Sequence, residues 1–195
     1  MDDVEKNADV WLTGKLLLAM PGMGDPRFQR AVIFMCAHDA NGAMGLVINH
    51  VMPGVRFNEL LDQLNIEGGA AARPTGDVPV LNGGPVESAR GFILHPLGYS
   101  RKDTVRIGGR FGVTGTVDAL RAIAEGHGPE AMLFILGYAG WTAGQLDREL
   151  QENAWLVGEA EPELVFQTDP DGKWDMAIRR LGVDPAMLSG ESGRA

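Results

Sequence analysis

The residues able to do chemistry are few in this chain and mostly far apart. Cys36 and His38, in AVIFMCAHDANG, come nearest to a nucleophile and its base. A thiol needs its imidazole within hydrogen-bond reach, but strand positions i and i+2 share a face while standing roughly 6–7 Å apart. Cys36 therefore reads as a small core residue, and His38 as the least poor general base in the chain. The four histidines, at 38, 50, 95 and 127, show no metal-ligand spacing, and neither HExxH nor GxSxG occurs. No metal, no cofactor and no catalytic set is expected. An enzyme would have to draw on His38, Asn49, Glu87, His95 and Gln145, and would need all five in one concave pocket.

Three glycine-bearing stretches offer loops rather than reactive groups. PGMGDP (21–26) follows a strand as a phosphate loop does, but lacks GxGxxG and the Walker lysine, and Pro26 sits where a helix should begin. Asp25, Pro26 and Phe28 read as residues that set loop geometry. Asn82, Gly83 and Gly84, in NGGP, make a tight turn or aim backbone N–H groups at an anion. Glu87 and His95 lie near that turn, in a polar site or on a solvated rim. GYAGWTAGQLDREL (137–150) reads as a strand, a glycine corner and a capped helix. Thr142 and Gln145 have capping-box spacing, and Asp147 suits the positive end of the helix. Trp141 either packs in the core or, with Gln145, borders a cleft.

These residues need a scaffold, and the bulk numbers allow one. The chain has 195 residues, enough for one domain with its own core. One cysteine excludes an intramolecular disulfide and suits a reducing compartment. The first eleven residues do not read as a secretory signal, and no apolar run approaches 18 residues, so no membrane span is expected. A cytoplasmic location follows by elimination. Seventeen basic against 26 acidic residues leave a formal charge of −9, which argues against nucleic acid as a partner.

Apolar runs predict strands at 12–20, 31–37, 43–49, 78–82, 91–95, 104–107, 112–115, 132–139, 154–157 and 164–166. The DANG segment between the second and third makes them a hairpin, apolar on both faces and so buried on both sides. Helices are predicted at 58–64, with Asn58 as N-cap and a Leu60/Leu61/Leu64 stripe, at 117–125, after the 137–142 corner, and at 173–181. The Gly/Ala/Pro-rich segment 65–77 reads as a mobile surface loop. Hairpins mixed with single helices favour α+β, a mixed sheet with helices outside, in a single domain over 1–195 with flexible ends at about 1–10 and 189–195.

GKLLLAMPGMGDPRFQRAVIFMCAHDANGAMGLVIN (14–49), PVLNGGPV (79–86), RGFILH (90–95), LGYAGWTAGQLDREL (136–150), ENAWL (152–156) and the tail from Lys173 resemble the YqgE/AlgH family of bacterial proteins in order and over nearly the whole chain. The resemblance implies a partly barrel-like central sheet surrounded by helices. It supplies no settled chemistry; members are commonly labelled transcriptional regulators, from an association with alginate control. Ala37 stands where a glutamate is usual, which weakens any pairing of a carboxylate at that position with His38. NHVMPG replaces the commoner asparagine–arginine–proline continuation.

Three functions are compatible with this. The foremost is a non-enzymatic binding or regulatory protein whose partner, unknown, is another protein or a small ligand. The others are a regulator contacting DNA directly and an enzyme of unknown class with a pocket near His38 and Trp141. A monomer or weak homodimer is the default from domain size.

Overall fold

Hydrophobic alternation and turn chemistry lay out the chain as ten strands and six helices in the computed structural model, which describes residues 11–67 and 78–188. The two expected flexible ends, and the loop at 65–77 beyond its first three residues, lie outside the described residues. A first strand, β1 (Lys15–Ala19), leads through a 3-10 turn (Pro26–Phe28) into the hairpin of β2 (Val32–Asp39) and β3 (Gly42–Val47). There follow β4 (Val51–Arg56), α1 (Phe57–Gln63), β5 (Pro79–Asn82), β6 (Val86–Pro96), β7 (Val105–Ile107), β8 (Phe111–Thr114) and α2 (Val117–Ala124). The last third holds β9 (Leu133–Thr142), α3 (Gln145–Gln151), β10 (Trp155–Glu159), α4 (Pro162–Gln167), α5 (Pro170–Arg180) and α6 (Pro185–Leu188).

The strand order is β10-β1-β2-β3-β9-β6-β8-β7, with β5 beside β9 and β4 beyond β5. Among the described residues only the β5–β9 pair is parallel. The sheet curls so far that the turn after β7 meets the start of β1: a Cβ on Gly14 would lie 3.2 Å from Gly108 Cα. Phe34 of β2 and Phe111 of β8 meet across this curl at 4.9 Å between ring centroids. The architecture is α+β, a mixed and partly barrel-like sheet surrounded by helices.

Three apolar clusters hold it together. The first fills the curl with Leu16, Phe34, Leu94 and Phe111 and is closed by Trp174 and Ile178 of α5. The second lies on the other face of β1 and β2, where Leu17, Ile33 and Met35 pack with Trp141, Leu146 and Trp155. The third places Phe57 and Leu61 of α1 and Leu120 and Ile123 of α2 on Ile93 and Phe134. Each large side chain so buried contributes about 1.5–3 kcal/mol. The hairpin is thus covered on both faces. Among the described residues no helix is long and apolar enough to cross a membrane.

Several local expectations are corrected. Residues 164–166 are not a strand: they lie in α4, which Pro162 starts with its fixed φ, and Leu164 and Val165 are buried. β4 was absent from the sequence reading because Pro53 and Gly54 disfavour a strand; it pairs only at Val51↔Leu81 and Arg56↔Pro79, with an irregularity between. α1 begins at Phe57, so Asn58 is inside the helix rather than capping it. Gly144, at φ 70°, is the N-cap of α3; of the Thr142/Gln145 box only the return half forms, Thr142 N donating to Gln145 Oε1 at 3.0 Å.

Candidate functional site

The largest correction to the local reading is at β2. Its register against β3 shifts between Met35 and Ala37, and this bulge separates Cys36 from His38. Cys36 stays with the first cluster, where burial pushes its thiol up to about 12. His38 turns to the opposite face, beneath α3. There Leu12 N donates to His38 Nδ1 at 3.3 Å, so the neutral ring carries its proton on Nε2, which faces Asp147 Oδ1 at 3.7 Å. The carboxylate missing at Ala37 is supplied from α3, ten strand and helix elements further along the chain.

Trp141 shares that layer. It is 7% exposed, and with Trp155 and Leu146 it forms part of the core rather than a cleft wall. One oxygen of Glu149 accepts both indole N–H groups, from Trp141 at 2.9 Å and Trp155 at 2.8 Å. Its other oxygen accepts from Gln145 Nε2 at 2.9 Å. A carboxylate holding three donors pins α3 to β9 and β10. Glu149→Ala leaves all three donors without an acceptor and is expected to cost about 2–4 kcal/mol, read by urea denaturation followed through tryptophan emission. An unchanged midpoint would show that the carboxylate holds nothing.

The NGGP turn and the strand before Trp141 explain one another. Along its first half β9 pairs with β5 (Leu136↔Asn82), and beyond Gly137 it pairs with β3 (Ala139↔Gly45). The turn sits at this change of partner. Gly83 N donates to Leu136 O at 2.8 Å, and Val47 N donates to Gly83 O at 3.0 Å. Backbones approach so closely that a Cβ at Gly83 would fall under 3.0 Å from Gly137 O, and one at Gly84 under 3.0 Å from Tyr138. Asn82 Oδ1 accepts from Gly84 N at 3.2 Å, closing the turn on itself.

Beside this junction lies a polar cleft of about 250 Å³ bordered by Arg27, His50, Asn82 and Gly84. Asp25 stands at its edge, gripped by Arg27 (Nη2 to Oδ2, 2.7 Å), which holds its carboxyl below the ordinary range. Asn49 clips the neighbouring segment, accepting from Val32 N and donating to Arg30 O, both at 2.8 Å. His50 Nε2 donates to Gln29 O at 3.0 Å, and burial lowers its pKa against that bond.

The remaining candidates stand apart. Glu87 is exposed and paired with Arg90 at 3.2 Å. His95 is fully buried. Its Nδ1 lies 2.9 Å from Pro96 O, an acceptor only, so Nδ1 carries the proton and Nε2 accepts from Thr114 Oγ1 at 2.8 Å. Thr114 in turn accepts from Thr104 at 2.7 Å, and Thr104 accepts from Arg101 N at 2.8 Å. Every proton in this chain is spoken for, and burial lowers the His95 pKa. The five polar residues an enzyme would use are therefore split among the α3 layer (His38, Gln145), the clip on β2 (Asn49), a surface pair (Glu87) and a buried relay (His95).

A different pocket, of about 320 Å³, opens between α1 and α2. Ile93, Phe134 and Leu136 form its floor, and Leu60, Leu64 and Leu120 its walls. The leucine stripe of α1 carried the signal: Leu61 is buried, but Leu64 is 47% exposed at the mouth, as is Val117 at 45%. A stripe only half covered marks an unfilled surface. No motif pointed to it, since its polar members, Gln63 on the one hand and Thr114 and Thr116 on the other, lie in two segments far apart in the chain.

The AlgH-like family profile matches residues 16–186. The chain belongs to that family. A UPF0301 protein of Rhizorhabdus wittichii is 49% identical over 189 residues, 97% of this chain and 100% of that protein. Another, from a Jannaschia species, is 52% identical over 94% of this chain and 95% of its own length. The solution structure of the AlgH protein from Pseudomonas aeruginosa superimposes with a TM-score of 0.77 at 41% identity, covering 98% of this chain and all of that one. A crystal structure of a Corynebacterium diphtheriae protein, at 19% identity and TM-score 0.69, covers 93% and 91% and shares the fold. Within the family fold, sequence reading missed Arg27 and His50 at the cleft, Asp147 and Glu149 on α3, and the buried Lys173. Glu149 was findable, lying four residues after Gln145 on one helix face.

Proposed function

We propose that this protein is a non-enzymatic binding protein whose ligand is a small molecule held in the pocket between α1 and α2. The observation that carries the reading is the pocket itself: its volume of about 320 Å³ reaches the size of ligand sites, and its lining is apolar apart from Gln63, Thr114 and Thr116. The dispersal of His38, Asn49, Glu87, His95 and Gln145 supports binding over catalysis. The formal charge of −9 and the shortness of the helices, of which α5 is the longest described at 11 residues, support a small ligand over DNA.

The test is a methyl-resolved NMR titration with 2-naphthol. Shifts are expected at Leu60, Ile93 and Leu120, and are expected to vanish in Leu64→Trp, whose larger side chain plugs the mouth from an already exposed position. Saturable shifts elsewhere with none at these methyls would refute the assignment.

A further inference from the structure

The pocket between α1 and α2 restricts its ligand more narrowly than its volume does. None of the residues lining it carries a charge. The nearest charges on α2, Asp118 and Arg121, are exposed and spent on each other at 3.3 Å. An ionised carboxylate or ammonium entering this site would lose its water and meet no counter-ion, the most costly kind of burial.

The floor adds a shape. Gly91 has no side chain, and a Cβ there would lie 3.3 Å from Cε2 and Cζ of Phe134. The edge of that ring is therefore open to the pocket, and an aromatic edge is best met by another ring. The volume is roughly twice that of a 150 Å³ cavity that accepts benzene, which suits two fused rings.

Of the three polar side chains in the lining, Thr114 is buried while Gln63 and Thr116 are exposed. Thr114 has both roles of its hydroxyl committed, to His95 and Thr104. Thr116 occupies the N-cap position of α2, yet its hydroxyl makes no capping bond. The Gln63 amide has no hydrogen-bond partner among the described residues. These two side chains are the free ones.

Resting on the binding reading above, we infer that the ligand is an uncharged, ring-bearing molecule with one hydrogen-bonding group, its rings over Phe134 and its polar end at Gln63 and Thr116. An ionised carboxylate or an ammonium group on the molecule weakens the fit. Thr116 and Gln63 set orientation and selectivity, while the apolar floor supplies most of the affinity.

Three probes with one ring system test this: naphthalene, 2-naphthol and 2-naphthoate, the last ionised at neutral pH. The expected result is that 2-naphthol binds at least about tenfold tighter than 2-naphthoate. Thr116→Val and Gln63→Leu are each expected to weaken 2-naphthol about five- to tenfold while leaving naphthalene unchanged. If 2-naphthoate binds as tightly as 2-naphthol, the inference of an uncharged ligand fails and the pocket reading stands. If both variants bind 2-naphthol as the parent does, the placement of the polar end is wrong. If no probe moves the pocket methyls, the binding reading itself falls.

Discussion

Replacing Gly83 with alanine is expected to destabilise the protein by at least about 3 kcal/mol, a fall in Tm of roughly 6–12 °C for a chain of this length. The added methyl would meet the carbonyl oxygen of Gly137 and Cγ2 of Ile135 at under 3.0 Å. Neither neighbour can retreat cheaply. Gly137 O belongs to the strand at the point where it changes partners, and Ile135 is fully buried in the first cluster. Relief would require β5 and β9 to separate, at the cost of the bond from Gly83 N to Leu136 O. Gly172→Ala is the matched control: it lies in the first turn of α5 with nothing within 4 Å of the new methyl, so a gain of up to about 1 kcal/mol is expected. Thermal unfolding by circular dichroism reads both. A Gly83→Ala variant melting with the parent would show that the sheet accommodates the methyl and that the close approach of this turn does not limit stability.

The second large effect concerns Lys173. It is 1% exposed, and its ammonium donates to Ile48 O at 3.1 Å and Val165 O at 2.9 Å. It thereby caps the end of α4 and ties that helix to the residue following β3. Burial lowers its pKa from 10.5 to about 8, against a smaller opposing pull from Asp169. Below pH 8 the folded and unfolded chains both hold the proton, and the cost of burying the charge is borne in full. Between pH 8 and 10.5 the unfolded chain binds a proton that the folded chain has released, so stability rises with pH. Relative to Lys173→Met, the parent is expected to gain on the order of 3 kcal/mol across that window. Urea denaturation of both proteins at several pH values measures the difference. Comparison with the variant cancels the opposite titrations of Tyr99, Tyr138 and Cys36, whose raised pKa values take stability away as pH rises. A flat difference would show that Lys173 titrates alike in both states.

Lysine in a core is not announced by local pattern. Lys173 precedes Trp174 at the start of an amphipathic stretch, where a lysine is ordinarily solvated. Only the return of α5 onto β1 and β2 buries it. His38 teaches the same lesson in reverse. Its alternation with Phe34 and Cys36 is legible and Cys36 does pack in the core, but His38 does not share its face, because one bulge inverts every side chain beyond it.

Features that depend on neighbours within a few residues are legible in the chain before it folds. The double-sided apolar hairpin, the stop of α2 at Gly126, the mixed α+β order and the family membership all follow from period, turn chemistry and motif order, as does the stripe of Trp174, Ala177, Ile178 and Leu181 except at its end, where Leu181 is exposed. Packing between distant segments sets what meets across the curl: Gly83 against Gly137, Glu149 between two tryptophans, Asp147 over His38, and the half-covered leucines that open the pocket of α1 and α2. The physical reason is that a strand's own residues specify which face is apolar, while the partner of that face is chosen by close packing of segments distant in the chain.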